Sequence, residues 1–202
     1  MASAFLLVIG HREGLSWILG SERMAFPGGP RSGAQSLAPK DQLFLYTTRG
    51  CFNNPPRDEG RVIGRATVTS VVAALSTPVV VAGRALPYGC SVSVDSLAPL
   101  GLGVALRGLV GKLDVFSKNP QAWSIWLRRT VVPLSDHDAN LLAKPLTSVE
   151  QRPEEVLGPY LKWFPQEAEA QGVRSGRAVP PVPRKVGPQA RKVEGRLSAQ
   201  KN

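Results

Sequence analysis

The segment Asp41–Ala74, DQLFLYTTRGCFNNPPRDEGRVIGRATVTSVVAA, limits what this chain can become more than any other stretch. Leu43–Tyr46 is one apolar run. Val62, Ile63, Ala66, Val68, Val71 and Val72 form a second, with Thr67 and Thr69 adding β-branched residues. Such runs favour pleated, half-buried or buried backbone, so the segment predicts two strands. The connection between them, Thr47–Gly60, is rich in Gly, Asn, Pro and charge. Ordinary hairpin loops use roughly two to five residues, so a connection of this length is either a working loop or an unstructured one.

The remaining elements fit around that pair. Ala4–Ile9 is apolar without alternation and reads as a first strand buried on both faces. Leu15, Ile18 and Leu19 have helical spacing, which predicts a helix over His11–Gly20 with Gly20 as its stop. Arg23–Phe26 is a short extended segment. The PGGPRSG turn after it lacks the Gly-Lys-Ser/Thr of a phosphate loop and reads as a plain loop. A helical turn is expected at 34–38 and strands at 79–82 and 90–97, where Val92 and Val94 alternate with polar residues. Val104, Leu106, Leu109, Val110 and Leu113 suggest an amphipathic helix over 103–113. Gly101 and Gly103 make no dinucleotide fingerprint, because position 106 is Leu. Trp123–Leu134 reads as a last strand, Ser135 and Asp138 as a capping box opening a helix over 135–143, and Glu150–Phe164 as a final helix interrupted by Pro159.

The chain has 202 residues and a formal charge of +10. From Val173 to Asn202 there are eight basic residues against one acid, a net of +7, leaving +3 for everything before. The charge therefore belongs mainly to a Pro-rich tail, expected to be disordered. Three parts follow: a domain over 1–146, a helical extension over 147–171 and a basic tail over 172–202. No apolar run approaches the roughly 20 residues of a membrane span. The opening MASAFLLVIG lacks a basic n-region, so the expectation is a cytoplasmic protein with no membrane partner. Two cysteines, Cys51 and Cys90, and two histidines, His11 and His137, are too few for a zinc site of common spacing, so no metal and no cofactor are expected. Strands outnumber helices, which predicts an α+β class built on a small curved or closed β-barrel with short flanking helices.

The order of these segments resembles the EVE domain of the PUA-like superfamily, the barrel group that also contains the YTH domains. AFLLVI stands for the first strand, followed by RMAF. DQLFLYTT stands where that family has Gly-Asp-x-Val-x-Phe-Tyr-His, and RVIGRATVTSVV matches its Ile-Val-Gly-Ile-Ala-x-Val strand. WSIWLRRTVVPLSDHDANLL is similar to its closing strand with Leu-Arg, a Pro-Leu-Ser turn and a terminal helix. Three departures stand out. The aromatic pair of the first strand is reduced to Phe5, Thr47 replaces the usual His, and the loop from Arg49 to Gly60 is longer. The resemblance implies binding rather than catalysis: EVE and YTH domains are taken as readers of modified nucleobases, the first linked to modified cytosine and the second to methylated adenine. It implies a nucleic-acid partner, DNA or RNA, whose modified base is flipped into an aromatic pocket.

Such a pocket needs π-faces, a few fixed donors and acceptors, and basic residues for phosphates. Trp17 is a candidate wall or else a core residue of its helix. Trp123 and Trp126, three apart in an expected strand, would face opposite sides of the sheet, so that one, with Trp126 as the candidate, lies nearer the pocket. Tyr46, Thr47 and Thr48 offer hydroxyls to a base edge or cap a strand end. Arg49, Phe52, Asn53 and Asn54 equip the long loop for clamping, stacking and edge recognition, or simply turn the chain. Arg23 and Phe26 take similar roles in RMAF, and Arg128 with Arg129 could reach phosphates. Ser16, His11, His137 and Asp136 supply the residue types of a hydrolytic triad, but no G-x-S-x-G elbow accompanies them, so no enzyme is expected. A general RNA-binding module of the same fold, or a small-molecule-binding or hydrolytic relative, are the alternatives.

Overall fold

The computed structural model describes residues 2–28, 32–53 and 58–161. The basic tail, Phe164 and Asn54 lie outside these residues. Eight strands form one curled mixed sheet, β1 (Ala4–Ile9), β2 (Arg23–Phe26), β3 (Gln42–Thr47), β4 (Arg61–Val68), β5 (Ala73–Val81), β6 (Arg84–Leu97), β7 (Val104–Ala105) and β8 (Val131–Leu134). The order is β2-β6-β4-β3-β1-β8, with β5 beside β6 and β7 beside β4. Of the paired strands only β1 and β3 run parallel. Among the described residues three α-helices accompany the sheet, α1 (Arg12–Ser21), α2 (Asp136–Thr147) and α3 (Pro153–Leu161).

The central strands read as unbroken apolar runs because both faces of the sheet are covered. On one face Phe5, Leu7, Ile9, Leu43, Leu45 and Ile63 pack with α1 and with Val156 and Tyr160 of α3. On the other, Leu6, Phe44, Tyr46 and Val62 pack with Leu142 and Leu146 of α2 and with Leu106, Leu113 and Phe116. Side chains alternate with a period of two, so adjacent residues of β1 and β3 serve separate cores.

Curvature comes from bulges. Register shifts fall between Leu45 and Tyr46 on β3, and between Arg65 and Ala66 on β4. An extra residue on one strand bends it and increases its twist. Gly64 sits between them, where a Cβ would come 2.3 Å from the Ser96 carbonyl oxygen, so the close approach of β4 and β6 requires glycine.

β5 and β6 form one long hairpin whose turn, Ala82-Gly83, has both residues in the left-handed region (φ 48° and 73°). A two-residue turn of that hand matches the twist of the strands it joins. The register jumps between Ala74 and Val79, so four residues including Pro78 bulge out at mid-length. The tip is tied down, since the Ala82 amide donates to Glu13 Oε2 on α1 at 3.0 Å.

Several elements differ from those expected from the sequence. The second strand stops at Val68, and Val71 is exposed on the way into β5. The expected helix over 103–113 is the short strand β7 followed by a 3-10 segment, Leu106–Lys112. Its apolar residues do face one core, but β7 is captured as a partner by β4. Only Val131–Leu134 of the expected last strand is extended; Pro120–Arg128 is 3-10, opened by Pro120 and by Asn119, whose Oδ1 accepts from the Ala122 amide at 3.2 Å. Trp123 and Trp126, three residues apart on a helical turn, therefore share a side and both pack on the second core, Trp123 edge-on to Phe116 at 5.7 Å. α1 ends one residue beyond Gly20, with Glu22 in the left-handed conformation (φ 50°). Glu22 is held there by β6, its carbonyl accepting from Val92 N at 2.8 Å and its carboxylate from Val94 N at 3.2 Å.

The capping box is present: Ser135 Oγ accepts from the Asp138 amide at 3.1 Å. Asp138 itself is wholly buried and accepts from the amides of Asp114 and Val115. α3 is stitched to the barrel by Tyr160, whose hydroxyl donates to the Ala98 carbonyl and whose own carbonyl accepts from Ser16 Oγ, both at 2.9 Å. Just before α3, Glu150 receives the Arg65 guanidinium through both its Nε and Nη2 and the Ser96 hydroxyl as well.

Candidate functional site

β1 ends at Ile9 and the chain turns through Gly10 and His11 into α1. Because β3 runs parallel to β1, its end at Thr47 and Thr48 arrives on the same side. α1 and the β5–β6 hairpin rise there, and the segment Leu127–Thr130 before β8 closes the remaining side. They enclose a pocket of about 480 Å³. Its floor is apolar, formed by Leu7, Ile9, Ile18, Met24 and Phe26. Among the described lining residues, the half-buried indole of Trp17 supplies the large π-face with solvent access. Arg84 lies on the hairpin side of the rim, and Arg128 and Arg129 on the other. The Arg129 guanidinium also lies 5.4 Å from the centre of the Trp126 ring, a cation–π contact that holds its position.

The residues singled out from sequence divide between several places. Trp17, Phe26, Thr48 and Arg128 line this pocket, although Phe26 is almost completely buried and belongs to its floor. Tyr46 does not reach it. Its side chain points to the opposite face of the sheet, only 2% exposed, and burial pushes its phenol up to about 12. There the ring packs so closely that a Cβ on Gly60 would meet its hydroxyl at 2.0 Å. Thr47 is buried too, and its hydroxyl donates to the Arg61 carbonyl at 3.3 Å. With Phe52 it lines a separate pocket of about 400 Å³, beside Arg12, Asp58, Leu100 and Leu102. Phe52 meets the first core, which gives the apolar residue of the polar loop its partner. Asn53 is exposed in a turn at φ 58°, where Asn is tolerated, and its amide donates to the Gly50 carbonyl. Arg49 is exposed outside both pockets, Arg23 is exposed on the edge strand β2, and Trp126 acts only through Arg129. Asn54 lies outside the described residues.

Sequence reasoning missed the hairpin wall, Val81, Arg84, Ala85 and Leu86. A signal was present: Ala82-Gly83 between two apolar runs is a two-residue turn pattern, and it predicts a strand beginning at Arg84. The triad residue types are dispersed. Ser16 is committed to the Tyr160 carbonyl, and His137 stands on α2 against the Lys112 carbonyl. Among the described residues no group of three or more His, Cys, Asp or Glu side chains could hold a metal, and no helix is long and apolar enough to cross a membrane.

No family model and no curated protein matches the sequence. Solved structures do. A hypothetical protein from Leishmania major superposes with a TM-score of 0.51 at 12% identity, covering 73% of this chain and 96% of that one. The YTH domain of Mmi1, solved in complex with RNA, superposes with a TM-score of 0.50 at 11% identity, covering 73% and 79%. The chain has the PUA-like fold. At such identities the likeness is one of fold, and it bears out the curled sheet with flanking helices expected from the order of the strands. Human THYN1 protein, solved with 5-methylcytosine-containing DNA, superposes at 0.46 with 11% identity, covering 71% and 97%.

Proposed function

We propose that this chain is a nucleic-acid-binding domain that receives a modified base, turned out of its stack, in the Trp17 pocket. The observation that carries the reading is the pocket itself: an apolar floor and one accessible indole, rimmed by three guanidinium groups. A base laid on Trp17 gains about 1–3 kcal/mol from stacking, and guanidinium groups at the rim can take the flanking phosphates. The volume, about 480 Å³, exceeds what a single base requires and leaves space for a substituent on the ring. The fold shared with the Mmi1 domain, solved with RNA, supports a nucleic-acid partner. The scattered positions of Ser16, His11 and His137 favour binding over hydrolysis.

The test is a fluorescence anisotropy titration of labelled DNA and RNA oligonucleotides of one sequence, each with a single unmodified or modified base. The reading expects a modified strand to bind at least several-fold tighter at 150 mM salt. Equal affinity for modified and unmodified strands, with a steep salt slope, would instead identify a general RNA-binding module that senses backbone and shape.

A further inference from the structure

Besides the indole of Trp17, the polar side chains among the described lining residues of the pocket are His11, Thr48, Thr130, Arg84, Arg128 and Arg129. No Asp, Glu, Asn or Gln is among the described lining residues. A guanidinium has only donors, whereas a threonine hydroxyl combines a donor with acceptor lone pairs. The neighbouring acid on α1, Glu13, is turned to the hairpin tip, where its Oε2 accepts from the Ala82 amide. The pocket therefore pairs an apolar floor and a stacking surface with a rim that is cationic on two sides.

Resting on the reading of the pocket as a base site, we propose that it selects a base bearing an anionic, carboxylate-type substituent over one modified by methyl alone. A methyl group would satisfy the floor formed by Leu7, Ile18 and Met24 and ask nothing of the arginines. An exocyclic amine aimed at the arginine rim would meet donors only. A carboxylate on the ring accepts two parallel N–H bonds from a guanidinium, the strongest neutral-pH match for that group. Arg84 can meet it from the hairpin, and Arg129 is already oriented by its contact with Trp126.

The experiment compares one oligonucleotide carrying unmodified cytosine, 5-methylcytosine or 5-carboxylcytosine at a single position, titrated into the full chain by anisotropy at two salt concentrations. The 5-carboxyl strand is expected to bind at least tenfold tighter than the 5-methyl strand, and Arg84→Gln or Arg128→Gln to remove most of that difference. Equal or tighter binding of the 5-methyl strand overturns the proposal and leaves the base-reading function standing. So does a uniform loss for all strands in the Arg→Gln variants with a shallower salt slope, because the arginines then serve phosphates alone. Indistinguishable binding of all three strands overturns both. Circular dichroism of the variants, whose substituted residues are exposed, verifies that they are folded.

Discussion

Replacing Trp17 with Ala separates the two roles its side chain plays. The ring is half-buried, packed on one side against the first core and open on the other to the pocket. Loss of the pocket-facing surface removes stacking of about 1–3 kcal/mol, or roughly 5- to 150-fold in Kd. Loss of the core-facing surface costs stability of about 2 kcal/mol, less than the ~3–5 kcal/mol of a fully buried aromatic ring. Anisotropy titration reads the first and urea unfolding the second. Trp123→Ala is the matched control: that ring packs on the second core against Phe116, away from the pocket, so it lowers the unfolding midpoint and leaves Kd unchanged. Trp17→Phe keeps a π-face and should recover most of the affinity. If Trp17→Ala binds the preferred strand within twofold of the unsubstituted protein, stacking on Trp17 is not how this pocket works and the argument fails.

Two further expectations concern the scaffold. Glu150→Ala strands the Arg65 guanidinium, whose side chain is 27% exposed, and deprives the Ser96 hydroxyl of its acceptor. A buried pair broken on one side costs about 3–5 kcal/mol, and the partial exposure of Arg65 brings the expectation down to about 2–4 kcal/mol. A loss below 0.5 kcal/mol in the urea midpoint would mean that water replaces Glu150 without cost. The two thiols set an alkaline limit. Burial pushes Cys51 up to about 12 and Cys90 up to about 11, from an ordinary value of 9.0. The unfolded chain therefore releases these protons first, so their contribution to stability is intact below pH 9 and lost progressively between 9 and the folded values. At pH 10 each thiol should cost about 1.4 kcal/mol, and Cys51→Ala should flatten that part of the profile. A pH-independent difference between the two proteins from 8 to 10 would refute this account.

Local patterns carried much of the fold. Ala4–Ile9 and Leu43–Tyr46 are apolar at every position because α1 and α3 cover one face of the sheet and α2 the other. Ser135 with Asp138 announced the start of α2 through a bond between residues three apart. Boundaries failed where distant partners overrule propensity. Val104–Ala105 is a strand because it pairs with Arg61 and Val62 at the start of β4, beyond the reach of β6, and Glu22 takes a left-handed conformation because β6 binds its carbonyl and carboxylate.

The candidate site was legible only in part for the same reason. Trp17, Thr48 and Arg128 were visible as suitable residue types, yet so were Tyr46 and Thr47, which the fold buries. On a strand, neighbouring residues face opposite ways, so only the folded sheet decides which of the three reaches the pocket: Tyr46 points into the second core, Thr47 lines the pocket beside Phe52, and Thr48, just past the end of β3, lines the Trp17 pocket. The sequence by itself determined that Ala4–Ile9, Leu43–Tyr46 and Val62–Val68 are extended and apolar enough to be covered on both faces, and where the positive charge accumulates. The tertiary structure alone decided that residues 17, 48, 84 and 128 surround one pocket. Their meeting depends on parallel pairing of β1 with β3, on the hand of the Ala82-Gly83 turn and on the Glu13 tether, and these arise from the packing of the whole sheet.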